Sequence, residues 1–245
     1  MIGALRYLAA FALAIFLVAG LVAALGAGLV AGTRAAHAAP KPTVAVLYFD
    51  YSGKDDQLGL LRKGLAQMMI SDLSAVDAIQ LVERDRLEEI LAELKLGQSN
   101  KIDPASAAKV GKLLGARYLI LGGYFDLKNM LRVDARVVEV ETGKVVQSVG
   151  ATGDADNFLA LEQKLVTDIG AILGKQLSLP PAKTPPTPKV KPPAKLARRT
   201  ALTYSRALHD IDSGDKAKAK VELEQVVKEQ PDFKLAMVDL DKLLQ

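Results

Sequence analysis

Seven of the chain's eleven prolines fall between residues 180 and 193. No other feature limits the fold so sharply. Proline has no backbone N–H to give to a helix or a strand ladder, and its φ is fixed. A run this dense in proline and lysine cannot build a core. It is expected to sample polyproline II at ~3.1 Å per residue, making a semi-rigid solvated spacer about 40 Å long. The chain therefore divides into an alternating zone at 41–178, a linker at 179–194 and a helical tail at 195–245, preceded by an apolar segment at 1–39.

The first segment reads as an export signal. Arg6 supplies a positive start, Tyr7 to Gly32 carries no charge, and Ala36-His37-Ala38 offers a small-residue cleavage site. The apolar run of about 26 residues is also long enough to span a bilayer. Cleavage after Ala38 or Ala39 and retention as an anchor thus both stand. Either places the remainder outside the cytoplasm, with the periplasm as the expected location and residues 7–32 as the membrane contact if the segment stays.

In the alternating zone, Val44–Phe49 is an apolar run suited to a buried strand. Leu58, Leu61, Leu65, Met68, Met69, Leu73 and Val76 follow at three- and four-residue spacing, which predicts a helix. Ile79–Val82 reads as a second strand, parallel to the first through a right-handed crossover. Leu87, Ile90, Leu91 and Leu94 mark another helix, and Asp103 with Pro104 opens a third that stops at Gly115. Tyr118–Phe125, Leu131–Val140 and Lys144–Val149 are strand-like. Their links, Asp126–Met130 and Glu141-Thr142-Gly143, are too short for parallel crossovers, so these strands must be antiparallel. A last helix is expected over about 156–177. The fold class is α/β, with a mixed sheet of about five strands, flanking helices and a small all-α tail.

The tail carries helical-repeat chemistry. Ala201, Tyr204, Ala207, Leu208 and Ile211 mark one helix, Ser213-Gly214-Asp215 breaks it, and Ala219, Leu223 and Val226 mark a second that ends at Pro231. The small residues Ala207 and Ala219, the Gly214 turn and the terminal Pro231 fit a tetratricopeptide unit of about 34 residues, with 232–244 as a capping helix. The Trp and the Leu-Gly pair of the full pattern are missing, so a degenerate repeat and a plain helical hairpin both fit. As a repeat, its first helix would turn Tyr204, Leu208 and Ile211 toward a partner. Alternatively, Tyr204 packs beneath the capping helix.

Catalytic chemistry is sparse. The chain has no cysteine and two histidines, His37 and His209, too few for a metal cluster or a Ser-His-Asp set. Gly53-Lys54 lacks the upstream glycine of a phosphate-binding loop. Gly122-Gly123, inside a strand, suggests a bulge. Asp50, Asp55 and Asp56 follow the first strand, where open α/β sheets place sites, but acidic turn residues are ordinarily just solvated. No cofactor, no metal, no nucleic acid and no enzymatic activity are expected.

Four blocks carry a resemblance: Leu81–Glu93, Asp103-Pro104-Ala105, Lys112–Gly122 and Val138–Val146. Together they resemble the CsgG family of curli-secretion components and the related TolB N-terminal-like, FlgO and LpoB-type domains, over about 43–178. The resemblance implies structural roles for Glu83, Arg84, Leu87, Gly115 and Gly143, with Arg84 fixing the start of its helix by pairing with a carboxylate. It also implies a non-enzymatic envelope protein. Together with the repeat-like tail this gives an expected adaptor in secretion or assembly whose α/β domain and tail each bind envelope proteins, with a homo-oligomer admitted. The rival is an oligomeric outer-membrane pore subunit. The family's channel is lipidated at a cysteine and inserts long hairpins, whereas this chain has no cysteine and short links.

Overall fold

The computed structural model describes residues 40–96, 103–128, 130–179 and 188–245. The expected export signal lies outside them, as does the first part of the proline run. Strand β1 (Thr43–Val46) covers only the first part of the apolar run expected as one strand, and the short β2 (Asp50–Tyr51) follows it. The break arises because pairing with the same neighbouring strand slips by one residue between Val46↔Ile120 and Asp50↔Gly123. Helix α1 (Asp56–Gly59) and helix α2 (Leu61–Leu73) follow, then β3 (Gln80–Leu81), α3 (Arg84–Glu93) and α4 (Pro104–Leu113). Strands β4 (Tyr118–Leu127), β5 (Met130–Glu139) and β6 (Val145–Asp154) form an antiparallel meander, and α5 (Phe158–Gln176) closes the α/β part. The tail is α6 (Arg198–Asp212), α7 (Lys216–Glu229) and α8 (Lys234–Leu244).

The sheet is mixed, as the patterning required. Its order is β3-β1-β4-β5-β6, with β2 also paired to β4. β1 lies parallel to β3, reached through α1 and α2, and to β4, reached after α3 and α4. The meander departs from the expected turns. β4 runs on to Leu127, which faces Met130 directly, so the first hairpin turns through two residues rather than five. Lys128 takes φ 58° there. Gly122 and Gly123 are not a bulge: both keep register with β5, and the irregularity falls at Val137/Val138 instead. Gly122 is a glycine because a Cβ would sit 2.0 Å from the Asp134 carbonyl oxygen and 2.8 Å from the Phe49 ring.

α2 positions everything else. Eleven of its thirteen residues are buried. A helix buried over most of its surface needs neighbours on several sides, and α2 has the sheet, α5 and the tail. Gly64 is the contact point with α6, since a Cβ there would meet the Ser205 hydroxyl at 2.0 Å. Residues 41–245 accordingly form one compact unit.

The linker is corrected by the same packing. From residue 188 it is a strap held on the body. Its Lys189 N–H donates to Ser74 Oγ at 3.3 Å, and its Ala194 N–H donates to Asp232 Oδ2 at 3.3 Å. Pro193 and Leu196 are buried and Val190 is half-buried. Two apolar side chains and a proline ring suffice to seat this stretch, because prolines lose little backbone entropy on ordering.

Candidate functional site

Beyond the C-terminal end of β2, an open cleft of about 970 Å³ separates the α/β part from the tail. Tyr51, Gly53, Asp56, Leu60 and Arg62 line one wall, and Glu88, Ala92 and Lys95 of the α3 region line another. His209, Asp212 and Ser213 approach from the end of α6. This is the position at which the parallel strands of an α/β sheet place ligands, and here a second region of the chain helps to wall it.

The floor of the cleft is a set of paired charges. Arg84 Nη1 donates to both Asp212 carboxylate oxygens at 2.7 Å, and Nη2 donates to Asp85 at 2.7 Å. Lys63 Nζ donates to Asp212 at 2.5 Å and to Glu88 at 3.3 Å. The Tyr48 hydroxyl donates to Glu88 at 2.6 Å, and Lys63 Nζ lies 5.5 Å from the Tyr48 ring centre. The Arg84 and Asp212 side chains are only 3% and 6% exposed, so water hardly screens them. Burial opposes the charge on Arg84, but the Tyr48 hydroxyl and Asp212 more than offset it and hold the guanidinium well above its ordinary pKa. Burial likewise drives the Tyr48 hydroxyl far up, with Arg84 opposing. Tyr51, at the rim, donates to Asp126 and accepts from the Asp55 N–H at 3.0 Å. Burial, then the bond to Asp126, pushes its hydroxyl up to about 12.

The residues singled out by sequence fall into distinct places. Arg84 opens α3 behind Glu83, which occupies the N-cap position without a side-chain capping bond. Its carboxylate partners are its neighbour Asp85 and Asp212, which lies 128 residues further on. Leu87 is core. Gly115, Gly143 and Gly214 take φ of 62°, 67° and 83°, the left-handed region glycine favours. Ala207 and Ala219 are fully buried in the tail, and Pro231 is exposed at the turn before α8.

The proposed partner-facing set needs correction. Tyr204 and Leu208 are buried, and Ile211 is half-buried. The Tyr204 ring meets Phe233 edge-on at 4.9 Å, and its hydroxyl donates to Asp239 of α8 at 2.5 Å. The face expected to be open is closed by α8 on one side and α2 on the other. Asp55 caps α1 by accepting from the Gln57 N–H at 2.9 Å, and Asp50 belongs to β2. Asp56 and His209 do reach the cleft.

Lys63, Glu88 and Asp212 were not singled out by sequence reading. A signal existed for one of them: Lys63 stands among the three- and four-residue-spaced apolar positions of Leu61, Leu65 and Met68, where a cation needs a partner if the helix is buried.

Residues 26–129 match the family model described as curli production assembly/transport component CsgG, short of half the chain. The match runs through β4 and supports a CsgG-type domain over that stretch, and with it an association with envelope assembly or secretion. One curated relative, "Putative adenylate cyclase 3" of Rhizobium meliloti (strain 1021), is 28% identical over 103 residues, 42% of this chain. The aligned stretch is only 16% of that relative's length. Among solved structures, the LpoB C-terminal domain from Salmonella enterica aligns at 14% identity and TM-score 0.34, covering 46% of this chain and 83% of that one. Lipoprotein GNA1162 from Neisseria meningitidis aligns at 13% and 0.39, covering 56% and 98%. The PelC dodecamer from Paraburkholderia phytofirmans aligns at 12% and 0.35, covering 53% and 86%. Among the described residues no helix is long and apolar enough to cross a membrane, and no group of three or more metal-ligating side chains is found.

Proposed function

We propose that this chain is a non-enzymatic periplasmic adaptor in secretion or envelope assembly, and that it holds a segment of a partner protein in the cleft between the α/β part and the tail. The observation that carries this reading is the Arg84–Lys63–Asp212 junction. It fixes one end of α6 beside the strand ends, so the two regions present one composite surface. In the picture of two modules on a free arm, each would bind separately. The docked strap and tail favour a single bipartite surface. The side chains at the rim are charged and polar around a half-buried Tyr51, a lining suited to a polypeptide segment rather than an apolar ligand. We read α6–α8 as one degenerate tetratricopeptide unit, used here as the second wall. The two-residue hairpin at β4–β5 and the short link at 140–144 favour the adaptor over the pore subunit.

The test is site-specific photo-crosslinking in intact cells. A crosslinking amino acid in place of His209 or Lys95 should trap one envelope protein, and the same group in place of Lys164 on the exposed side of α5 should not. Equal adducts from all three positions would defeat the reading, as would accumulation of the protein in the cytoplasm.

A further inference from the structure

β6 is a ten-residue strand hydrogen-bonded along one edge only. β5 pairs with one side, and among the described residues no strand pairs with the other. A free edge presents a row of unpaired N–H and C=O groups, and proteins ordinarily blunt such edges with Lys, Pro, bulges or shortness. β6 has none of these along most of its length. Its sequence Val145–Asp154 contains no proline and no cation, Asp154 at the very end is its one charge, and its register shift is confined to its start. We propose that the β6 edge is a self-association surface, where β6 of a second copy pairs antiparallel to it about a two-fold axis and joins the two sheets into one.

The second copy is favoured by the geometry of both edges. The opposite edge, β3, is two residues long, so a head-to-tail contact of β6 on β3 would leave most of β6 uncovered. A two-fold contact sets nearly the whole of β6 against an equal length of β6 and closes on itself. The faces of β6 restrict the register. Ser148, Gly150 and Thr152 lie on the side of Arg132 and Asp134: Arg132 donates to Thr152 Oγ1 at 3.1 Å, and a Cβ at Gly150 would touch both charged side chains. Val149, Ala151 and Gly153 lie on the side of α5, where Gly153 abuts Leu161. Pairing that keeps each face continuous must centre on a residue. Centring on Gly150 places no side chain against its own copy. Ser148 then faces Thr152 of the second copy, Val149 faces Ala151, and Asp154 faces Val146, so no like charges meet across the axis. Half-buried Val149 would be covered.

The test uses the full chain in mild detergent, with mass measured by sedimentation. The wild type should be a dimer. Ser148→Lys with Thr152→Lys sets lysine against lysine twice across the axis and should weaken the dimer at least tenfold. Ser148→Lys with Thr152→Glu sets lysine against glutamate and should return it to near the wild-type value, which also shows that lysine at 148 is tolerated by the fold. Because the chain has no cysteine, Ser148→Cys with Thr152→Cys gives a clean covalent readout. Within one strand the two positions are ~13 Å apart and cannot bridge, so oxidation should yield covalent dimers only. A wild type that is monomeric at every concentration overturns the proposal. So does a lysine–lysine variant as dimeric as the wild type, which would place the association in the N-terminal apolar segment. A cysteine variant that stays monomeric on oxidation does the same.

Discussion

The two ends of α2 bury ionisable groups in opposite ways. Near the start, Lys63 is 9% exposed and has Asp212 and Glu88 within hydrogen-bonding reach. Near the end, Asp72 is 7% exposed, and the charged group acting on its neighbour Glu162 is Asp72 itself, another acid. Glu162 is 1% exposed, and neither of its carboxylate oxygens has a hydrogen-bond partner among the described residues. A buried ion is kept when opposite charge is at hand and becomes neutral when only like charge is. Burial pushes Asp72 up to about 7, and burial together with Asp72 pushes Glu162 well above the usual carboxylate range. One end of the helix is therefore a fixed ionic lock and the other a pair of acids whose burial favours the protonated form.

Breaking the lock should give the largest effect. Asp212→Ala leaves Arg84 and Lys63 buried beside fewer acids, and truncating one partner of such a set costs about 3–5 kcal/mol. Urea unfolding measures it, and trypsin should now cut first at the strap lysines. A loss below 1 kcal/mol would mean that water already reaches the junction.

The acid pair makes stability depend on pH in the direction opposite to ordinary acid denaturation. With folded-state pKa values above the unfolded ones, the folded protein holds the extra protons. Stability is therefore full below about pH 4 and declines as pH rises toward about 7 for Asp72. The slope for each group is at most ~1.4 kcal/mol per pH unit. Asp72→Asn with Glu162→Gln should flatten the profile and raise stability at pH 8. Unfolding midpoints at pH 5 and pH 8 decide it, and an unchanged difference between them would remove the pair from consideration.

The contact of α2 with α6 beside the lock can be tested without touching charge. Gly64→Leu forces a side chain into Ser205 and should cost about 1–3 kcal/mol by overpacking, measurable as a lowered melting temperature. Its effect should add to that of the acid-pair variant, because the sites do not share partners.

The smallest effect belongs to an exposed pair on a neighbouring helix. Lys164 bonds Asp168 at 2.7 Å on the surface of α5, and Lys164→Ala should change stability by only about 0.3–0.5 kcal/mol, vanishing in high salt. If it matched Asp212→Ala, burial would not be what separates strong pairs from weak ones here.

Much of the fold could be read from local chemistry. The spacing of Leu58 to Leu73, the Asp103-Pro104 helix start and the short links after Leu127 and Val140 each act within a few residues, and the sheet with its antiparallel meander follows from them. Gly115 as a helix stop and Gly143 and Gly214 as turn residues were legible for the same reason, and their positive φ values came from the structure. The candidate site was not. Arg84 and Asp212 are 128 residues apart, and nothing in either neighbourhood specifies the other. For Tyr204 the sequence left a partner-facing and a buried place both open, because a helix with two apolar faces looks, in one dimension, like a helix with one wide face. The contacts with Phe233 and Asp239 decide for the buried one.

The sequence by itself therefore determined the elements, their polarity in the sheet and the amphipathic character of the tail, since these depend on interactions repeating every two to four residues. Only the tertiary structure decided that the tail closes over α2, that Asp212 meets Arg84 while Asp72 is left with Glu162, and that β6 ends the sheet. Those outcomes rest on which apolar faces cover one another. Burial is non-directional, so it fixes partners only when the whole chain is packed at once.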